Sequence, residues 1–169
     1  KVDRISPEAP VPIVNIQKEE SRLGGASNVA NNIVSLGGHS LLCGVIGHDL
    51  FGKEIERISR HKNIDTFLLK TSSPTITKAR IIGGKQQIVR VDYEDKSELN
   101  ADNKKLFRDT ISRILPEYDI LVISDYGKGL ISEDLCRYLI KLAHKYDKKV
   151  IIDPKGKNWE KYSGADIVT

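Results

Sequence analysis

Three short apolar runs, each ending in a polar loop and separated by helical periodicity, restrict this chain to one fold class. Leu41–Ile46 is continuously apolar, as in a strand buried on both faces. Asp119–Ser124, with Ile120, Leu121, Val122 and Ile123, and Val150–Ile152 repeat the pattern, and Ile167-Val168 reads as the start of one more strand. Around them apolar residues recur at helical spacing. Val29, Ile33 and Leu36 precede Gly37-Gly38, Phe51, Ile55 and Ile58 follow the first run, and Leu106, Phe107, Ile111 and Ile114 lead to a stop at Pro116. Leu135, Leu139 and Leu142 follow a Ser132 cap with Glu133 and Asp134 in the first turn. Strands alternating with helices predict an α/β fold with a doubly wound, mostly parallel sheet and right-handed crossovers.

The middle of the chain breaks this rhythm. Thr75–Ile82 and Gln87–Tyr93 alternate with period 2 around Gly83-Gly84, which predicts a hairpin. Lys78 and Arg80 share one face of the first strand, and Arg90 and Asp92 share one face of the second. An odd loop puts Lys78 and Arg80 on the face of Arg90, whereas an even loop puts them opposite, and both remain open. Three cations on one face repel unless an anion lies between them; solvent-facing basic residues are the plainer alternative. The hairpin does not fit the parallel sheet. It forms a small sheet of its own, with a strand near Ile13–Ile16, entered through Pro7, Pro10 and Pro12, and the Thr66–Lys70 segment as candidate companions. Such an excursion serves as a lid or an interface.

Composition narrows the function classes. The 39% hydrophobic and 30% charged content over 169 residues describes an ordinary globular chain, usually one domain or a large part of one. Net charge is +4, with lysines scattered among acids, which argues against nucleic acid as a partner. No apolar run reaches the ~20 residues that span a membrane, and no signal peptide opens the chain. There is no Met, so Lys1 is not expected to be a native start. Cys43 and Cys136 lie in apolar patterns and read as buried thiols of a reducing compartment. His39, His48, His61 and His144 show no metal-ligand spacing, so no metal ligands are expected in this chain.

Ligands of open α/β sheets bind beyond the carboxyl ends of the strands. Three polar loops fall there: Gly47-His48-Asp49, Asp125-Tyr126-Gly127-Lys128-Gly129 and Asp153-Pro154-Lys155-Gly156. Their acids suit sugar hydroxyls or a metal, and their lysines suit phosphate; aspartates after strands are also turn residues and caps. The turn Leu23-Gly24-Gly25-Ala26-Ser27-Asn28 opens a helix whose first N–H groups lack partners, which suits a hydroxyl-rich or anionic small molecule. The plainer reading is a glycine turn capped by Ser27 or Asn28. Gly84-Lys85 lacks the Ser or Thr of a P-loop, and Gly127-Lys128-Gly129 lacks the third glycine of a dinucleotide fingerprint.

These blocks carry a resemblance. Gly24-Gly25-Ala26-Ser27-Asn28-Val29-Ala30, Leu36-Gly37-Gly38 and Gly44-Val45-Ile46-Gly47-His48-Asp49-Leu50-Phe51-Gly52 resemble the N-terminal signature of the ribokinase-like (PfkB) carbohydrate kinases. Arg4-Ile5-Ser6-Pro7-Glu8-Ala9-Pro10-Val11-Pro12, Gln86-Gln87-Ile88-Val89-Arg90-Val91-Asp92, Ser124-Asp125-Tyr126-Gly127-Lys128-Gly129 and Asp153-Pro154-Lys155-Gly156 are more specifically similar to D-glycero-β-D-manno-heptose-7-phosphate kinase domains. The resemblance implies transfer of the γ-phosphate of ATP, with Mg²⁺, to the anomeric hydroxyl of the heptose 7-phosphate in the cytoplasm. It implies sugar contacts from Gly24, Gly25, Asn28 and Asp125, with Lys128 beside them and Lys155 toward the nucleotide. Lys78, Arg80 and Arg90 become candidates for the 7-phosphate by charge placement. The family's β-lid often makes a homodimer contact, and lid segments are expected at about 5–20 and 64–95 within one partial kinase domain spanning 1–169. The family's first strand is expected before Lys1, and its Asn-x-x-Glu motif and catalytic base after Thr169, so the 169 residues alone are expected to be inactive. The rival readings are another ribokinase-like sugar-phosphate or nucleoside kinase, and a non-catalytic sugar-phosphate-binding protein.

Overall fold

A computed structural model describes residues 2–10, 12–84 and 86–169; Val11 of the proline-led stretch and Lys85 of the Gly84-Lys85 pair lie outside the described residues. Two short antiparallel strands, β1 (Val2–Ile5) and β2 (Pro12–Val14), form a ladder of their own. Helix α1 (Ala26–Ser35) then leads to β3 (Leu41–Gly47), α2 (Leu50–His61) and β4 (Asp65–Thr71). The hairpin is β5 (Thr77–Gly83) and β6 (Gln86–Tyr93). Helix α3 (Ala101–Ile114), β7 (Ile120–Ser124), α4 (Glu133–Lys145), β8 (Lys149–Asp153) and β9 (Ile167–Val168) complete the order.

The α/β alternation stands, and every ladder outside β1–β2 and the hairpin is parallel. The parallel strands divide into two sets, β3–β4 and β7–β8–β9. Among the described residues no backbone ladder joins β3 to β7; α1 packs against both and bridges them.

The expected companions of the hairpin need correction. Thr66–Lys70 belongs to β4, which runs parallel to β3 from Leu41 opposite Asp65 to Gly47 opposite Thr71. The reason is packing: Leu69 is buried, and the Phe67 ring lies 5.7 Å from Phe107. The proline-led strand ends at Val14 and, among the described residues, pairs only with β1. The hairpin therefore stands as a two-stranded unit.

One apolar core gathers Phe107, Ile111, Ile123, Leu135, Cys136, Leu139, Val150 and Ile152 from α3, β7, α4 and β8. Leu135, Cys136, Val150 and Ile152 are fully buried, so α4 and the middle strand β8 anchor the set whose ends carry the polar loops. Ser132 caps α4 as expected, accepting from the Leu135 N–H. Both cysteines are free thiols, and burial pushes the Cys43 thiol up to about 12 and the Cys136 thiol up to about 11. No helix among the described residues is long and apolar enough to cross a membrane.

Candidate functional site

The N-terminus of α1 is open. Gly25 is the N-cap residue, at φ 54° and ψ −135°, and no side chain caps the helix. Ser27, offered by the sequence as a cap, instead donates its hydroxyl to the Gly24 carbonyl at 2.6 Å. Asn28 stands exposed on the same turn, and its amide has no side-chain partner among the described residues. Backbone at φ 54° favours glycine, and there is a second reason for one. A Cβ at Gly25 would sit 3.5 Å from the ring of Tyr126. The glycine turn and the Asp125–Gly129 loop, 100 residues apart in sequence, thus meet face to face.

The hairpin is tied to the strand-end loops at both stems. At its entry, Asp49 caps α2 by accepting from Gly52 N–H at 2.8 Å and also accepts from the Thr75 N–H and hydroxyl, each at 2.7 Å. Burial works against its charge, but the bonds from Thr75, Gly52 and Phe51 prevail and hold its carboxyl below the usual range. Asp49 is therefore committed to the fold, and the Gly47-His48-Asp49 loop anchors the entry to the hairpin. At the exit, Glu94 pairs with Lys128, and Asp95 accepts from Ser73 and Ser97 hydroxyls at 2.8 and 2.6 Å. Lys128, expected beside the substrate, is thus ion-paired with Glu94 at the exit of the hairpin.

The hairpin register settles the question of faces. Gly83 pairs with Gln86 across a two-residue loop. That even loop alone would set Lys78 and Arg80 opposite the face of Arg90, but a bulge after Ile81 shifts the register by one residue. Arg80 is directly opposite Arg90, and Lys78 is opposite Asp92. Asp92 accepts from Lys78 Nζ at 2.9 Å and Arg90 Nε at 2.8 Å. The Lys78 ammonium, then burial and the Arg90 guanidinium, decide its balance and hold its carboxyl below the usual range. Lys78, Arg80 and Arg90 are all exposed, as the solvent-facing alternative has it, and among the described residues Arg80 alone of the three has no carboxylate partner.

A cleft of about 2030 Å³ runs between these parts, and Gly24, Gly25, Tyr126, Lys128, Arg80 and Arg90 are among its lining residues. It exceeds the roughly 300–1,000 Å³ of a small-molecule pocket, and residues of β3 and β7 also line it. Asn28 adjoins the cleft without lining it.

Asp125 is only 3% exposed, and its carboxylate turns inward. Oδ1 accepts from Gly127 N–H at 2.7 Å, and Oδ2 accepts from Lys161 Nζ at 2.5 Å and the Tyr162 hydroxyl at 2.7 Å. Lys155 lies alongside, its Cγ 3.5 Å from where a Cβ on Gly127 would be. Sequence reasoning did not single out Tyr126, Lys161 or Tyr162. Lys161 and Tyr162 lie more than 30 residues from Asp125 in a polar stretch, with Trp159 as the one hint of packing.

The family model of the pfkB carbohydrate kinases matches residues 1–169. The chain belongs to the pfkB family of carbohydrate kinases. Its sequence is 46% identical to the bifunctional protein HldE of Helicobacter pylori strain P12 over 171 aligned residues and 41% identical to that of Sulfurimonas denitrificans over 169. The alignments take in 100% and 99% of this chain but 37% and 35% of those proteins, so the chain spans little more than a third of the curated relatives it matches. Among solved structures, a possible 1-phosphofructokinase of Thermotoga maritima superposes with a TM-score of 0.70 at 20% identity, covering 91% of this chain and 51% of that one. Phosphofructokinase-2 of Escherichia coli, in its tetrameric inhibited form, gives 0.61 at 20% identity, covering 95% and 52%. At that identity these two matches speak for the ribokinase-like fold alone, and the family model carries the assignment as a carbohydrate kinase.

Proposed function

We propose that this pfkB chain carries the sugar-holding part of an ATP-dependent kinase acting on D-glycero-β-D-manno-heptose 7-phosphate. The γ-phosphate of ATP passes to the anomeric hydroxyl and gives the 1,7-bisphosphate, on the way to ADP-heptose and the lipopolysaccharide inner core. The observation that carries this reading is the convergence of an open helix N-terminus, the Tyr126 ring and the uncompensated Arg80 guanidinium along one cleft. Its motifs and its 41–46% identity to HldE proteins support the heptose.

In this reading Gly24 and Gly25 offer backbone groups, and Asn28 an amide, to sugar hydroxyls. Arg80, with Lys78 and Arg90 beside it, meets the 7-phosphate, and Lys155 faces the nucleotide. Phosphoryl transfer rests on positioning and on charge stabilisation, which these residues supply on the acceptor side. Magnesium accompanies ATP in such a transfer. Among the described residues no three His, Cys, Asp or Glu side chains converge as ligands. The other face of the hairpin pairs Ala79 with Val91 and Ile81 with Val89. Val89, Val91 and Tyr93 are each about two-fifths exposed or more, and we assign this face to a second copy of the chain; a monomeric mass by light scattering at micromolar concentration would contradict that. The free thiols and the use of ATP fit a cytoplasmic enzyme.

The cation face gives the sharpest test of the substrate class. In the protein expressed from its complete gene, Arg80→Ala should raise KM for the sugar phosphate about tenfold with little change in kcat, the loss of one charge-assisted contact. Lys78→Ala and Arg90→Ala should do less, because Asp92 already neutralises part of their charge. An unchanged KM in Arg80→Ala discards the phosphate site.

A further inference from the structure

Lys161 and Tyr162 lie outside every motif that pointed to the sugar site, yet they hold its buried carboxylate. The side chains of Lys161 and Asp125 are 14% and 2% exposed, and Nζ lies 2.5 Å from Oδ2. Tyr162 is 3% exposed, and its hydroxyl donates to the same oxygen at 2.7 Å. That hydroxyl also accepts from the Lys155 N–H at 3.0 Å. Burial first, and the Asp125 carboxylate after it, push the Tyr162 phenol up to about 12, so it keeps its proton at neutral pH. Lys161 Nζ sits 5.4 Å from the centre of the Tyr162 ring.

A buried ion pair is weak evidence for stability, since apolar residues of the same shape often replace one without loss. Its location is more informative. The cluster joins the loop after β7 to the loop after β8: Asp125 grips Gly127, Tyr162 grips Lys155, and Lys155 packs on Gly127. Tyr126, which lies on Gly25, is the residue between the two gripped positions Asp125 and Gly127.

We infer that Lys161 and Tyr162 are positioning residues that, through Asp125, hold Tyr126 against the open end of α1 and fix the Lys155 loop to the sugar loop. The inference rests on the kinase reading above for its substrates. Removing the ammonium leaves a buried carboxylate without its cation, and the strain is relieved by moving Asp125 toward water, which carries Tyr126 away from Gly25. Removing only the hydroxyl keeps the ring packing and loosens the tie to Lys155, so it should touch both substrates.

The test uses the protein expressed from its complete gene. Lys161→Met should raise KM for the sugar phosphate about 30-fold, and Tyr162→Phe should raise KM for both sugar phosphate and ATP about fivefold, in keeping with lost hydrogen bonds to a charged group. Lys161→Arg should recover most of the loss. A merely structural pair would lower Tm and the active fraction while leaving both KM values unchanged, and that result overturns the inference. Hydrogen exchange at the Gly127 amide provides a readout independent of chemistry. Exchange should be at least about tenfold faster in Lys161→Met, or in Tyr162→Phe if the former does not fold; equal rates overturn the inference. If the unaltered protein phosphorylates no sugar phosphate, the kinase reading falls, and Gly127 exchange alone decides whether the pair holds the loop.

Discussion

Gly129→Ala should be the most damaging single methyl group that can be added to this chain. Gly129 has φ +92°, and a Cβ there would meet the Ser97 carbonyl oxygen at 2.3 Å and that of Lys96 at 2.8 Å. Both contacts are backbone, so no side chain can swing aside. The left-handed strain costs about 1–2 kcal/mol, and a clash of this kind adds about 1–3 kcal/mol. Gly37→Ala separates the two contributions. Gly37 has nearly the same φ, +89°, with nothing among the described residues within 4 Å of the added atom, so it carries the strain alone. In urea unfolding of the complete protein, Gly129→Ala should lose more stability than Gly37→Ala by the clash cost. It should also raise KM for the sugar phosphate, because the Lys96–Ser97 stem and the Asp125–Gly129 loop are pushed apart. Equal stability losses in the two variants would mean that the Lys96–Ser97 segment does not rest on this loop.

Asn28→Ala should have the opposite signature. Asn28 is exposed on α1 without a side-chain partner among the described residues, and alanine is the better helix former, so stability should stay within about 0.5 kcal/mol of the original. An amide that holds sugar hydroxyls contributes about 1–3 kcal/mol, so kcat/KM for the sugar should fall about 10- to 100-fold. Steady-state kinetics and a thermal melt on the same preparation check both halves. Full activity would remove Asn28 from the site and leave the α1 turn as a structural glycine turn.

The architecture was legible because buried parallel strands announce themselves as short apolar runs. Asp119–Ser124 and Val150–Ile152 became β7 and β8 with little change at their ends. Periodicity failed where long-range contacts decide. Thr66–Lys70 looks as suited to the hairpin as to the core, and only Phe67 against Phe107 and the burial of Leu69 assign it to β4. The cation face depended on a single extra residue, Ile88 on β6, opposite the Ile81–Ile82 step, which no count of loop residues reveals.

The site was legible where backbone chemistry is local. Gly24-Gly25 before an apolar helix marks an open N-terminus, and the structure has one. Aspartates were harder. Asp49 and Asp125 both follow apolar strands, and both close on the protein: Asp49 on Thr75 and Gly52, Asp125 on Gly127, Lys161 and Tyr162. A carboxylate's partners 26 and 36 residues away are a property of packing, not of spacing.

Phosphoryl transfer from ATP to the anomeric oxygen of a phosphorylated heptose is the reaction proposed for this protein. The direct measurement is ³¹P NMR of D-glycero-β-D-manno-heptose 7-phosphate incubated with ATP, Mg²⁺ and the protein expressed from its complete gene. A new anomeric phosphate signal should grow in step with ADP while the 7-phosphate signal persists. ADP formed without an anomeric phosphate, or transfer to a nucleoside or to fructose 6-phosphate but not to the heptose, would contradict it.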